Sequence, residues 1–201
     1  MWDSKRADYA RVTQTVRHYE GGVFSFVSED IVLPGAEVPV RRDFVDHPGA
    51  VIIVPVNERR EVLLLSQYRH PARMVLWELP AGLRDAEGED PLETAQRELA
   101  EEANLAADRW HVLVDILSSP GATNEAARIF LARDLRTIDS GYERTDEEAD
   151  FDYRWVDIAQ AARLVAGGQL HNNATVTGIL SAVRALDDDS LLREPDAPWL
   201  S

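Results

Sequence analysis

Along the first half of the chain, apolar residues either alternate or run together over strand-length segments. Val23–Val27 and Ile31–Leu33 read as short strands, Pro34-Gly35 as a turn, and Val38–Val45 as the return. A segment of this size cannot bury a face by itself. Residues 1–15 before it are polar without a clear period, which predicts a loosely ordered start. Ala50–Val56 (AVIIVPV) and Val62–Gln67 (VLLLSQ), joined across Asn57–Glu61, are apolar at successive positions, the pattern of strands covered on both faces. Val75–Leu79 adds a strand that runs into Pro80-Ala81-Gly82.

The period then changes. Asp90 suits an N-cap, Pro91 the first helical position and Glu93 the place of a capping-box acid, so a helix is predicted over Pro91–Ala103. Asn104 tolerates a left-handed stop. Leu92, Ala95, Leu99 and Ala103 share the stripe that faces a core. Trp110–Leu117 and Ala127–Ala132 read as strands around the loop Ser118–Glu125, and Arg136–Asp150 as a long acidic loop. Phe151, Tyr153 and Trp155 alternate on one strand face. Asp157 caps a helix over Ile158–Val165 that ends at Gly167-Gly168, and Ala174–Leu186 is a further helix. The fold class predicted is α/β: a mixed sheet between helices, an α/β/α sandwich, with a small N-terminal β segment. The expected division is 1–47 for that segment, 48–190 for the main domain and 191–201 for a peripheral tail.

With 201 residues, 45% of them hydrophobic, the chain has enough apolar side chain for one large domain and is not disordered in composition. A net charge of −15 argues against nucleic-acid or acidic-membrane binding, so an anionic substrate must be met by a local basic pocket or by metal ions. Cysteine is absent, which removes disulfides and thiolate metal sites. MWDSKRADYARV lacks a signal-peptide core and no apolar run approaches membrane-spanning length, so a soluble cytoplasmic protein is expected. His18, His47, His70, His111 and His171 show no ligand spacing and read as structural.

Glu98, Glu101 and Glu102 fall on one helical stripe beside the buried face. Like charges at i, i+3 and i+4 repel one another. They read either as a solvated acidic face or as oxygen ligands for Mg²⁺ or Mn²⁺.

Gly82, Glu89 and Arg97-Glu98-Leu99-Ala100-Glu101-Glu102-Ala103-Asn104-Leu105 together resemble the signature of the Nudix hydrolases: glycine, spacer, glutamate, seven residues, then Arg-Glu-apolar-x-Glu-Glu-x-Gly-apolar. Two positions depart from it. The first spacer, Leu83–Gly88, has six residues where five is usual, and Asn104 replaces the final glycine. Neither change touches the carboxylates. Glu78–Gly82 (ELPAG), Gln67-Tyr68-Arg69, Pro120 and Glu147–Asp150 (EEAD) are similar to the ADP-ribose pyrophosphatase branch of that family.

The resemblance implies metal-dependent hydrolysis of the diphosphate of ADP-ribose to AMP and ribose 5-phosphate; the alternative is another nucleoside diphosphate derivative, such as a nucleotide sugar, NADH or a dinucleoside polyphosphate. It implies Glu98 and Glu102 as the main metal ligands, with Glu101 and the Ala81 carbonyl beside them and Arg97 orienting the carboxylates. Glu148, or next Glu147, matches the catalytic base. Arg42 and Arg69 are candidates for the diphosphate and terminal ribose, and Glu78 and Glu125 for the pocket or a metal. In the resembling family the N-terminal strands cross to a second subunit, which implies a homodimer. A sanitising triphosphatase fits less well, given Pro120 and the N-terminal segment. A non-catalytic ADP-ribose sensor fits least, because the signature glutamates are all present.

Overall fold

The computed structural model of the chain describes residues 3–84, 88–142 and 151–199. Two units make it up: Met1–Pro48 with Ser119–Glu125, and Gly49–Ser118 with Ala126–Ser201.

In the first unit, β1 (Arg11–Glu20), β2 (Ser25–Val32) and β3 (Val40–Asp46) form an antiparallel meander in that order. Strand β1 corrects the expectation of a loose start. Its ladder slips between Val12 and Gln14 and again between Arg17 and Tyr19, so no clean alternation survives in the sequence. Strand β2 is continuous where two short strands were expected. Three polar residues, Ser28, Glu29 and Asp30, interrupt its apolar pattern, and Ser28 is buried; its hydroxyl donates to Asp43 at 2.5 Å and lies 2.6 Å from His18 Nε2. The Ser119–Glu125 segment joins the end of β3: the Val45 N–H donates to the Ala122 carbonyl at 2.9 Å, and Asn124 Nδ2 donates to Asp46 at 2.8 Å.

The second unit holds a four-stranded mixed sheet and a three-stranded antiparallel one. The first has the order β7 (Ala81–Leu83), β4 (Ala50–Pro55), β9 (Ala126–Thr137), β8 (Leu105–Leu117). Only β4 and β9 run parallel within it. The second has the order β10 (Tyr153–Asp157), β5 (Glu61–Arg69), β6 (Met74–Glu78). Among the described residues of the unit, three α-helices accompany the sheets: α1 (Pro91–Ala103), α2 (Ile158–Ala166) and α3 (Asn173–Ala185).

Alternation along β4 divides the core. Val51 and Ile53 join Ala95 and Leu99 of α1, with Val112 and Phe130. Ile52 and Val54 join Ile158 and Ala161 of α2, and Ile179 and Ala182 of α3. Successive strand residues point to opposite faces, so α1 covers one face of the sheet and α2 with α3 the other. This is the α/β/α arrangement the patterning predicted. Leu99 has no exposed surface, and cutting it to alanine costs about 2–5 kcal/mol at such a site. Gly178 lets α3 approach closely, since a Cβ there would sit 2.6 Å from Leu79 Cδ1 and 3.1 Å from Val54 Cγ2.

Strands β8 and β9 run several residues beyond the apolar cores that marked them. Their outer halves carry charges paired across the ladder, as in Arg109–Asp134 at 3.0 Å, so hydropathy alone does not reveal them. Beyond α3, specific contacts hold the chain. Arg128, 2% exposed, forks onto Asp115 at 2.7 and 3.1 Å and donates to the carbonyls of Ala197 and Pro198 at 2.7 and 2.8 Å. The Trp199 ring lies over its guanidinium at 4.6 Å. Among the described residues, no helix is long and apolar enough to cross a membrane.

Candidate active site

Ahead of α1, residues 79–81 are each held in place. Leu79 donates its N–H to Thr175 Oγ1 at 3.0 Å, the Pro80 carbonyl accepts from the Ile53 N–H at 2.8 Å, and Ala81 pairs with Ile52. Helix α1 starts at Asp90, whose carboxylate accepts the Leu92 N–H at 2.8 Å, with Pro91 in the first turn. It stops at Asn104, left-handed at φ 51° and ψ 40°, whose N–H returns to the Ala100 and Leu99 carbonyls. Start and stop are those the cap residues predicted.

Four carboxylates gather along this path. Arg97 donates to Glu98 at 2.7 Å, to Glu101 at 3.2 Å and to Glu89 at 3.3 and 3.4 Å. Glu102, 7% exposed, accepts the Ala81 N–H at 2.9 Å. The Glu98 carboxyl occupies the space where a Cβ on residue 82 would stand, so the glycine in β7 is what admits it. The hydrogen bond from Arg97 holds the Glu89 carboxyl below its ordinary range, against the opposing effect of burial, and the Thr94 hydroxyl adds to the lowering. Arg97 in turn is held as a guanidinium above its ordinary value, first by Glu89. Its shortest contact is nevertheless to Glu98; Glu89 acts more strongly through two N–H donors.

Among the described residues, no three carboxylates or imidazoles stand in metal-holding geometry as a group. The donor set still fits a hard divalent cation. All four groups are oxygen donors, three of them meet one guanidinium while Glu102 accepts the Ala81 N–H, and Gly82 leaves the Glu98 carboxyl room against the backbone. Glu98, Glu101 and Glu102 could hold it; Arg97 bonds the first two and the Ala81 N–H the third.

The remaining candidates divide between the two units. In the second unit, Arg69 and Glu78 come together across β5 and β6 as a forked pair, with contacts of 2.7, 3.1 and 3.3 Å. Glu78 is 3% exposed and Arg69 43%. In the first unit, Arg42 lies exposed on β3 and donates to the Arg41 carbonyl at 2.9 Å, and Glu125 donates its N–H to Thr123 Oγ1 at 3.0 Å. Glu147 and Glu148 lie outside the described residues.

Residues 46–175 match the NUDIX domain. The chain belongs to the Nudix hydrolase family. Within it, the chain is 37% identical over 193 residues to an ADP-ribose pyrophosphatase of Mycobacterium tuberculosis, covering 96% of this chain and 92% of that one. It is 30% identical over 161 residues to an ADP-ribose pyrophosphatase of Bacillus subtilis, covering 80% and 85%. Among solved structures, an ADP compounds hydrolase superposes with a TM-score of 0.74 at 21% identity, covering 94% of this chain and all of that one, a likeness of fold.

The cluster contains one member that the sequence left without a role. Glu89 was matched as a fixed motif position, and that spacing was the available signal; in the structure it accepts two N–H groups of Arg97. Tyr153 gave no signal beyond its strand alternation, yet its hydroxyl donates to the Glu102 carbonyl at 2.6 Å.

Proposed function

We propose that this Nudix hydrolase cleaves the diphosphate of ADP-ribose, giving AMP and ribose 5-phosphate, with Mg²⁺ or Mn²⁺ as cofactor. The observation that carries the chemistry is the convergence of Glu89, Glu98 and Glu101 on Arg97, with Glu102 held by the Ala81 N–H. The choice of ADP-ribose follows the names of the two relatives. Glu98, Glu101, Glu102 and the Ala81 carbonyl would hold a divalent cation, which would supply neutralising charge to the diphosphate and a more acidic water. Arg97 orients Glu98 and Glu101, and the Ala81 N–H orients Glu102. Glu148, with Glu147 as the next candidate, takes the proton of the water that attacks phosphorus. The Arg69 guanidinium, steadied by Glu78, and Arg42 bind the diphosphate and terminal ribose, because guanidinium forks match phosphate oxygens. Glu125 contacts the same substrate.

We further propose a homodimer in the cytoplasm, with residues 1–47 as its interface and part of its substrate site, residues 48–190 as the hydrolase domain and residues 191–201 as a tail. The exposed Val12, Tyr19, Phe24 and Phe26 of the first unit support a partner there. Comparing kcat/KM for ADP-ribose, ADP-glucose and NADH tests the substrate. A preference of tenfold or more for ADP-ribose is expected, and an equal or higher value for either competitor refutes the assignment. Sedimentation at assay concentration tests the dimer, and a monomer there refutes it.

A further inference from the structure

We propose that Asn104 and Tyr153 are positioning residues that clamp the last turn of α1 and so aim its metal-binding carboxylates. The proposal rests on reading Glu98, Glu101 and Glu102 as cation ligands.

The last carbonyls of a helix lack partners within it, so the final turn is where a helix frays most easily. Here that turn carries Glu101 and Glu102. Tyr153 donates its hydroxyl to the Glu102 carbonyl at 2.6 Å. The Asn104 carbonyl accepts the Ile138 N–H at 2.9 Å, and its side-chain oxygen accepts from the Ser140 hydroxyl at 2.8 Å and the Ser140 N–H at 3.4 Å. On the other side, Ala81 holds the Glu102 carboxylate at 2.9 Å. Glu102 is therefore gripped by main chain and side chain at once.

Both donors stand on ordered supports. Tyr153 opens β10, pairs with Leu65 of β5, and sets its ring edge-on against Phe151 at 6.3 Å. Ser140 closes over Asn104 just after β9 ends at Thr137. A glycine at position 104, the residue of the family signature, supplies the left-handed stop but no side-chain acceptor. Asparagine supplies both. The departure from the signature thus adds a strap between the end of the helix and the chain leaving β9.

The test is Mn²⁺ binding, read as free ion by electron paramagnetic resonance, in wild type, Tyr153→Phe, Asn104→Gly, Ser140→Ala and the Asn104→Gly/Ser140→Ala pair. Tyr153→Phe and Asn104→Gly are each expected to weaken Mn²⁺ by roughly tenfold, as loss of a ligand's support does. The urea midpoint of Asn104→Gly should stay near wild type, because glycine suits the left-handed stop. Ser140→Ala should weaken Mn²⁺ in the same direction, and the pair should lose no more than Asn104→Gly alone, since both changes break one strap. Unchanged Mn²⁺ affinity in Tyr153→Phe and Asn104→Gly overturns the clamp. A loss that tracks the urea midpoint also overturns it, since that is general destabilisation. A wild type that binds Mn²⁺ and leaves ADP-ribose intact refutes the substrate reading alone, and the variants still decide the clamp.

Discussion

Replacing Gly82 by alanine adds one methyl group at the point where the Glu98 carboxyl lies against the backbone. The new Cβ overlaps the Cγ, Cδ and Oε1 atoms of Glu98. Gly82 is not among the glycines with positive φ, so its backbone accepts alanine and the strain falls on Glu98. To regain ordinary contact the carboxyl must move by at least about 1 Å, and a shift of that size at a reacting centre costs about 10²-fold in rate. That loss corresponds to about 2.7 kcal/mol of transition-state stabilisation. The Arg97 contact at 2.7 Å must break as the carboxyl moves, which removes the group that orients it. The assay is kcat/KM for ADP-ribose at saturating Mg²⁺, beside a urea unfolding curve. Gly82→Ala should lose about 10²-fold in activity while unfolding near the wild-type midpoint. Once Glu98 is already alanine, adding Gly82→Ala should change little, because the methyl then has nothing to displace. Wild-type kcat/KM in Gly82→Ala, or a full additional loss in the double variant, refutes the steric link between Gly82 of β7 and the helix.

Three further outcomes follow from the packing and the charges. Gly178→Ala gains about 1 kcal/mol of helix propensity, but overpacking against Leu79 and Val54 costs about 1–3 kcal/mol, so urea unfolding should show a net loss of about 1 kcal/mol; a gain in stability shows that Leu79 yields. Arg128→Met leaves Asp115 buried with Arg193 still 3.0 Å away, so the loss should be about 2–4 kcal/mol, somewhat less than for a fully orphaned charge. Iodide quenching of Trp199 fluorescence should rise with it, and quenching equal to wild type means the tail is held some other way. His111 is lowered from 6.5, mainly by burial and next by Arg133, so the unfolded chain binds its proton more readily than the folded one. Its effect on stability is absent above the unfolded value and grows unfavourable as pH falls through it toward the lower folded value. His111→Gln should therefore lessen the drop in urea midpoint between pH 7.5 and pH 5, and an equal drop in both proteins removes His111 as its cause.

Where local chemistry decides structure, the chain could be read directly. Asp90, Pro91 and Asn104 bound α1 because caps act over a few neighbouring residues, and the observed helix begins and ends there. The apolar run of β4 announced a strand covered on both faces, which its two core clusters bear out. Strand β1 was hidden because two register slips erase alternation. Arg128 was hidden in the run ARIFLA, where it reads as a charge at a strand edge; its burial depends on Asp115 and on carbonyls about 70 residues away, a pairing no local pattern carries. In the site, the motif spacing picked out Gly82, Glu98, Glu101 and Glu102. The reason a glycine stands at 82, and the pairing of Arg69 with Glu78, depend on how separate segments meet.

The most direct measurement is product analysis after incubating the protein with ADP-ribose and Mg²⁺ in ¹⁸O-labelled water, beside a variant in which Glu98 and Glu102 are both glutamine. AMP and ribose 5-phosphate, with the label on one of the two and turnover abolished in the variant, is the result this account predicts. Intact ADP-ribose with the wild type, or equal turnover by the variant, contradicts it.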